Sequence, residues 1–272
     1  MRIKTNGITL NVLEQGASDS TGKRPTLVFL HYFGGSSQAW TEVINRLSTD
    51  YHCIAPDLRG FGESDAPPCG YSVKDYADDV GGLIAAANVK TCVLVGHSMG
   101  GKIALSLAAR RPANLHSLVL LAPSPPTPEP MPEEERTRLL TTHGNRAAVE
   151  TLGKITAHPV PTPLLNLFVE DNLRSSQQAW RAWLERGSRE DISADMTRID
   201  VPVLIVAGGM DESLTAKLLR REVVRRIGGA RLTTLPDVAH LLPLENPAAI
   251  AELIHQHCQF CGRGNKTPLK GL

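Results

Sequence analysis

The stretch TCVLVGHSMGGKIA, residues 91–104, decides the fold. Its first part, Cys92–Val95, has no polar alternation, which is typical of a strand covered on both faces of a parallel sheet. After Gly101 the apolar residues fit a helix that packs back on that sheet. The chain must turn sharply between the two, with Ser98 at the apex and with Gly96 and Gly100 leaving room for close backbone approach.

This strand–turn–helix carries the pattern Gly-x-Ser-x-Gly and resembles the nucleophile elbow of the α/β-hydrolase superfamily. The resemblance implies an α/β fold with a mostly parallel twisted sheet, flanking helices and an all-helical cap insertion. It also implies that Ser98 is the nucleophile. A short motif can recur by chance, so the alternative is a serine in a tight turn without chemistry, and the rest of the chain must decide.

Composition narrows the class of protein. The chain has 272 residues, enough for one large α/β domain with an insertion. With 29 basic and 28 acidic residues, its net charge of +1 argues against nucleic-acid or membrane-surface partners. No apolar run approaches the ~20 residues of a membrane span, and residues 1–7 lack a signal-peptide core. The five cysteines are few and scattered, which favours a reducing compartment, and we expect a cytoplasmic protein.

The composition changes after an apolar strand predicted at 115–122. Residues 123–132 hold six prolines, which predict a stiff, extended connector. Helical patterns follow at 133–142, 145–156, 162–173 and 176–186. We therefore expect a core domain from 1–123 and 190–260, a helical cap from 124–189, and a disordered tail from 261–272.

The segment 31–37 follows another buried strand and resembles the loop that supplies one arm of the superfamily's oxyanion hole. By position, the backbone N–H groups of Phe33 and Met99 are the implied donors. Tyr32 stands where relatives usually have glycine, and its ring either packs beside the loop or contacts substrate. In the cap, Trp180 and Trp183 share a helix face, and they either pack the cap onto the core or line the substrate pocket.

Two loops complete the resemblance. Asp211 follows an apolar strand where the superfamily places its acid, with the adjacent Glu212 as the second candidate. His240 begins a segment with the Glu-x-Pro pattern of the catalytic-histidine loop. The order Ser98, Asp211, His240 is the order of α/β-hydrolases. Because each follows a strand, the three are expected to meet at the carboxyl edge of one sheet.

Other polar residues are expected to have structural roles. Asp57 and Arg59 are expected to pair or cap within a glycine-rich loop. Four potential metal ligands, His255, His257, Cys258 and Cys261, lie near the carboxyl end, but no second ligand pair has finger-like spacing, so a zinc site is disfavoured. The resemblance implies chemistry that requires no metal or organic cofactor.

The sequence therefore predicts a serine hydrolase that cleaves a carboxylic ester or lactone of a small molecule through an acyl-enzyme. A C–C bond hydrolase, a perhydrolase and a cofactor-free haloperoxidase can use the same three residues and remain alternatives. An alternative of another class is a ligand receptor that keeps the hydrolase fold.

Overall fold

The computed structural model of the chain describes residues 1–18, 24–141 and 145–262. Its strands are β1 Arg2–Thr5, β2 Ile8–Gln15, β3 Thr26–Leu30, β4 Cys53–Pro56, β5 Cys92–His97, β6 Leu115–Leu121, β7 Val203–Gly208 and β8 Arg231–Leu235. Its α-helices are α1 Thr41–Leu47, α2 Val73–Ala86, α3 Met99–Ala108, α4 Glu133–Thr141, α5 Asn145–Ile155, α6 Thr162–Arg174, α7 Gln177–Glu185, α8 Ala216–Glu222, α9 Leu242–Glu245 and α10 Pro247–Gly262.

The eight strands form one sheet in the order β1-β2-β4-β3-β5-β6-β7-β8. The β1–β2 and β2–β4 pairs are antiparallel, and every other neighbouring pair is parallel. A hairpin turn at Asn6-Gly7, both with positive φ, joins β1 to β2. The predicted mostly parallel α/β sheet is confirmed, and β5 lies near its centre.

The central strands are apolar throughout because both of their faces are covered. On β5, Leu94 packs with α2 and α3, whereas Val93 and Val95 pack with α1 and α10 on the opposite face. On β3, Val28 and Phe29 divide in the same way. A strand with two buried faces needs no polar alternation, which is the physical reason for the pattern that predicted it.

Local signals also explain the helix starts. α2 begins at a capping box, in which the Ser72 side chain accepts from the Asp75 N–H and the Asp75 carboxylate accepts from the Ser72 N–H. α10 begins at Pro247, and the Asn246 side chain accepts from the Ala249 N–H at 3.0 Å.

Helices α4–α7 lie between β6 and β7, within a residue or two of their predicted bounds. α5 packs with α6, and α4 packs with α7. Two small apolar clusters join these helices to the core. One combines Phe168 and Leu152 with Tyr32 and Leu241, and the other combines Trp180 with Phe33.

Short 3₁₀ turns flank two of the helices. A 3₁₀ turn over Ser37–Trp40 precedes α1, which begins at Thr41. A second one, over Val224–Arg226, follows α8. α10 continues to Gly262 because its apolar face, including Cys258 and Cys261, packs on the core. The predicted disordered tail, 261–272, is therefore wrong at its first two residues, and 263–272 lie outside the described residues.

None of the helices in the described parts of the chain combines the length and apolar character needed to cross a bilayer.

Candidate active site

Ser98 occupies a strained turn between β5 and α3. Its backbone has φ +52°, a left-handed conformation that is unfavourable for residues with a side chain. The chain passes so close to itself here that a Cβ on Gly100 would lie 2.3 Å from the Leu30 carbonyl oxygen, and one on Gly96 would lie 2.6 Å from the Gly100 oxygen. The two glycines of the motif are therefore required sterically, and they hold Ser98 at the carboxyl end of β5.

The structure brings Ser98, His240 and Asp211 into one line of hydrogen bonds. His240 Nε2 lies 3.0 Å from Ser98 Oγ, and His240 Nδ1 lies 2.8 Å from Asp211 Oδ2. The ionised Asp211 can only accept, so Nδ1 carries a proton and Nε2 is free to accept from the serine hydroxyl. The three residues are largely buried.

Asp211 is fixed by more than the imidazole. Its Oδ1 atom accepts from the Ser213 N–H at 2.9 Å, the Ser213 hydroxyl at 2.6 Å and the Leu214 N–H at 3.0 Å. Burial alone would raise the pKa of Asp211, but the neighbouring His240 and these donors outweigh it and hold that pKa well below its usual range. Glu212, the second sequence candidate, is exposed at the cavity wall and makes no hydrogen bond to His240 among the described residues.

Opposing forces set the proton affinity of His240. Burial lowers its pKa, while the charge of Asp211 and the hydrogen bond to it raise the pKa more, so the net pKa lies above the ordinary value of a histidine. The result is an imidazole that is stabilised when it takes up a proton beside Ser98.

The loop that carries His240 is held at several points. The carboxylate of Glu245 accepts from the Ala239 and Leu241 N–H groups, each at 3.1 Å, and from the Ala157 N–H in the insertion at 2.7 Å. The His240 N–H donates to the Ile155 carbonyl at the end of α5 at 3.0 Å. The Glu-x-Pro pattern pointed to this loop, but the link from Glu245 to the insertion could be found only in three dimensions.

Two further histidines support the loops of the site through hydrogen bonds to the backbone and are not part of the Ser98–His240–Asp211 line. His97 Nε2 donates to the His240 carbonyl at 2.7 Å, and complete burial lowers the pKa of His97 to about 3, so its ring is neutral. His31 donates through Nδ1 to the Tyr32 carbonyl and accepts through Nε2 from the Leu58 N–H.

The two proposed oxyanion donors belong to different segments, and both Phe33 and Ser98 line the same cavity. Phe33 follows β3 in a turn in which the Gly35 N–H donates to the Tyr32 carbonyl at 3.1 Å. Met99 is the first residue of α3. Within the described residues, neither amide donates to another backbone group. Both N–H groups are therefore available for a negatively charged oxygen, and the start of α3 favours such charge.

A cavity of about 530 Å³ lies between these loops and helices α4–α7. Ser98 and His240 lie in its wall together with all three predicted substrate-binding residues, Tyr32, Trp180 and Trp183. The cavity is thus bounded by the core on one side and by the insertion on the other.

The aromatic residues of the wall also pack the insertion onto the core. The Tyr32 ring stacks on Phe168 with centroids 6.0 Å apart, and the Trp180 ring lies 4.4 Å from the Phe33 ring. Trp180 Nε1 donates to the Leu139 carbonyl at 2.8 Å. Packing and cavity lining, considered as alternatives for these residues, therefore coexist.

Asp57 and Arg59 hold neighbouring loops, as expected. Asp57 accepts from the Ser37 N–H at 2.7 Å and from the Glu63 N–H at 2.9 Å, and Arg59 forms two 2.7 Å hydrogen bonds with the buried carboxylate of Asp79.

Sequence reasoning missed two charged residues at the connectors of the insertion. Lys102 lies fully buried on α3, where its Nζ donates to the carbonyls of Thr127 and Ser188 in the two connectors of the insertion. Glu129 lies in the proline-rich connector and lines the cavity. A lysine inside an otherwise apolar helix was the signal available for the first, and an acid between prolines was a weak signal for the second.

No group of three or more histidine, cysteine, aspartate or glutamate side chains suited to a metal ion occurs within residues 1–18, 24–141 and 145–262. The five cysteines all lie in that part of the chain and are free thiols.

Comparison with known proteins agrees with this architecture. A curated relative, the 2-(acetamidomethylene)succinate hydrolase of Mesorhizobium japonicum, is 29% identical over 236 residues, which cover 81% of each chain. An esterase from Exiguobacterium antarcticum superposes with a TM-score of 0.86 at 23% identity and covers 95% of this chain and 98% of its own. The enol-lactonase from Burkholderia xenovorans gives a TM-score of 0.82 at 23% identity, with 95% and 100% covered.

At these identities the two structures establish the fold. The sequence model of the alpha/beta hydrolase family matches residues 27–253, a span that includes the Ser98 turn and the loops of Asp211 and His240. The chain belongs to the alpha/beta hydrolase family.

Proposed function

We propose that the protein is a serine hydrolase that cleaves a carboxylic ester or lactone of a small organic molecule through an acyl-enzyme intermediate. The observation that carries the proposal is the continuous line from Ser98 Oγ through His240 to Asp211, with contacts of 3.0 and 2.8 Å, at the wall of a cavity. A serine hydroxyl is a weak nucleophile unless a neighbouring base accepts its proton, and this geometry supplies that base.

In the first half of the reaction, Ser98 Oγ attacks the ester carbonyl while His240 Nε2 takes the hydroxyl proton. Asp211 holds the imidazole in the required tautomer and stabilises the imidazolium that forms. The Phe33 and Met99 N–H groups donate to the oxyanion of the tetrahedral intermediate. His240 then gives its proton to the departing alkoxide, and the acyl group stays on Ser98.

In the second half, water takes the place of the alcohol. His240 removes a proton from the water, the resulting hydroxide attacks the acyl carbonyl, and the bond to Ser98 Oγ breaks as the serine regains its proton. A lactone follows the same steps, with the alcohol remaining attached to the acyl chain.

We propose that residues 124–189 act as a cap that selects the substrate and limits water in the cavity. Tyr32, Trp180 and Trp183 offer apolar ring surface and favour the apolar part of a small ester. The hydrogen bond from the His240 N–H to Ile155 and the contact of Ala157 with Glu245 support a mechanical link between this cap and the base.

The test is a panel of p-nitrophenyl esters and simple lactones of increasing acyl length, assayed with the native protein and with Ser98→Ala. The variant should lose about 10⁶-fold in kcat, the order observed when a serine hydrolase loses its nucleophile. Ser117→Ala is the matched control, because Ser117 is a fully buried serine on β6 outside the cavity.

Comparable turnover in the native protein and in Ser98→Ala contradicts the proposal. A single slow turnover in the native protein favours a receptor that keeps the fold.

A further inference from the structure

Glu129 is an acid of the cavity wall that the triad mechanism does not use. Its backbone is fixed in the connector between β6 and α4, because its N–H donates to the Ser188 carbonyl and its carbonyl accepts from the Met131 N–H, each at 2.8 Å. The side chain is half-buried and faces the same cavity as Ser98 and His240. The two backbone hydrogen bonds therefore fix the point from which the Glu129 side chain extends.

The carboxylate of Glu129 has an unused acceptor. Its Oε2 atom is buried without a hydrogen-bond partner among the described residues. Buried carboxylate oxygens are normally satisfied by donors, since removing them from water without one is costly. A wall residue of a binding cavity can meet this need through a donor on the bound molecule.

Two cations that interact electrostatically with Glu129 have their hydrogen bonds elsewhere. The Lys102 ammonium donates to the Thr127 and Ser188 carbonyls at 3.3 and 3.4 Å, and Arg136 donates to the Leu184 carbonyl and to Ser188 Oγ. Both cations lie within range of a charge interaction with Glu129. Within the described residues, neither forms an ion pair with it.

The remaining charges of the cavity wall are also predominantly negative. Four carboxylates, those of Glu129, Glu135, Asp211 and Glu212, face one ammonium, that of Lys154. Lys154 is paired with Glu135 at 3.4 Å, and Asp211 is paired with His240. A cavity whose wall carries more negative than positive charge concentrates cationic ligands.

We propose that Glu129 is a specificity-determining residue that selects esters carrying an ammonium group, a refinement that rests on the serine-hydrolase function proposed above. The ammonium N–H groups donate to the Glu129 carboxylate while the ester carbonyl lies at Ser98. A substrate with a carboxylate at the same place is repelled by Glu129, and a methyl group there leaves the carboxylate without a donor.

The experiment uses two series of esters that differ only at one terminal group. In the first, the acyl chain of a p-nitrophenyl ester is 6-aminohexanoate, heptanoate or the monoester of pimelate, which end in ammonium, methyl and carboxylate. In the second series the terminal group lies on the alcohol side, in the acetate esters of 6-aminohexanol, heptanol and 7-hydroxyheptanoate. Hydrolysis of these esters is followed by the release of acid. The proteins are the native chain, Glu129→Gln and Glu134→Gln.

In at least one series, kcat/KM of the native protein should fall in the order ammonium, methyl, carboxylate. Glu129→Gln should reduce the preference for ammonium over methyl by about tenfold, mainly through KM, because a charge-assisted hydrogen bond is lost. Glu134→Gln removes the same charge from an exposed position on α4 outside the cavity and should preserve the preference.

The absence of an ammonium preference in both series, or equal effects of Glu129→Gln and Glu134→Gln, overturns the assignment. If Glu129→Gln lowers kcat/KM equally for all three end groups, its role is structural and the assignment is also overturned. These results leave the hydrolase proposal intact. The hydrolase proposal fails separately if Ser98→Ala hydrolyses p-nitrophenyl heptanoate and heptyl acetate as fast as the native protein does.

Discussion

The serine turn and the helical insertion line the same cavity, but they are held in place by different forces. Every residue of β5 is buried, and the turn to α3 is so tight that Gly100 could not carry a side chain. In the insertion, α4 buries only Arg136 and Leu139. The insertion contacts the core through hydrogen bonds such as that of Ala157 with Glu245 and through ring contacts such as that of Trp180 with Phe33. Backbone sterics thus fix the position of Ser98, whereas side-chain packing shapes the cavity.

This difference has a functional consequence. A substitution in the turn shifts backbone that is held between β5 and α3. It should therefore change both the reaction rate and the stability of the protein. A change in the insertion alters contacts that can be repacked, so it affects mainly which substrate fits. The following experiments test how far the two regions behave in these distinct ways, from the largest expected effect to the smallest.

The largest effect is expected from Asp211→Asn on the core side. The amide can present an N–H to His240 and favour the wrong tautomer, so kcat should fall by about 10⁴-fold with little change in KM. Ester hydrolysis measured at several substrate concentrations separates the two constants. Glu212→Gln is the matched control, and a larger loss from that variant would show that the acid assignment is wrong.

Gly100→Ala tests the steric argument at the turn. The new Cβ would lie 2.3 Å from the Leu30 oxygen and 2.7 Å from the His31 oxygen, both backbone atoms with little freedom to move. We expect the free energy of unfolding to fall by about 3 kcal/mol, together with a lower kcat as Ser98 shifts. Denaturant unfolding and ester turnover check the two effects. If this variant kept the stability and the turnover rate of the native protein, the turn would not be more tightly constrained than the insertion.

Lys102→Met tests the point where α3 of the core holds both connectors of the insertion. Burial lowers the pKa of Lys102 to about 8 from 10.5, so above pH 8 the unfolded chain binds more protons at this site than the folded chain does. The penalty for burying the ammonium is complete below pH 8 and is relieved as the pH rises towards 10.5. The methionine variant has no such penalty at any pH.

The native protein should therefore gain about 2–3 kcal/mol of unfolding free energy relative to Lys102→Met between pH 7 and pH 10. Urea unfolding of both proteins at the two pH values measures this gain. Lys217→Met, at an exposed lysine on α8, serves as the control. Parallel pH dependences for the native protein and Lys102→Met would contradict the burial of a charged lysine at this link.

The smallest effect is expected from Gly153→Ala, the counterpart of Gly100→Ala in the insertion. Gly153 lies on α5, and a Cβ there would meet no atom within 4 Å. Because glycine is unfavourable inside a helix, alanine should raise the free energy of unfolding by about 0.5–1 kcal/mol. Thermal unfolding measures the change, and a loss of stability would show that the insertion is packed as tightly as the turn.

The amino-acid sequence by itself determined the fold and pointed to the residues of the proposed active site. Strands with two buried faces have continuous apolar sequences. Where two backbone segments approach too closely for a Cβ atom, only glycine fits, so Gly96 and Gly100 marked the turn around Ser98. Asp211 and His240 followed from the resemblance to α/β-hydrolases, which implies the order of the three residues along the chain. The apolar runs and the glycines are local signals, because each depends on the backbone geometry of a few consecutive residues.

Only the tertiary structure decided how the cavity is lined and charged. Nothing in the sequence near Glu129 indicates that it lines the same cavity as His240, or that Lys102 reaches both connectors at once. The extension of α10 through Cys261 likewise depends on the surface it packs against. Such features arise from contacts between residues distant in the chain, where side-chain direction and burial are set by the packing of whole elements rather than by any local pattern.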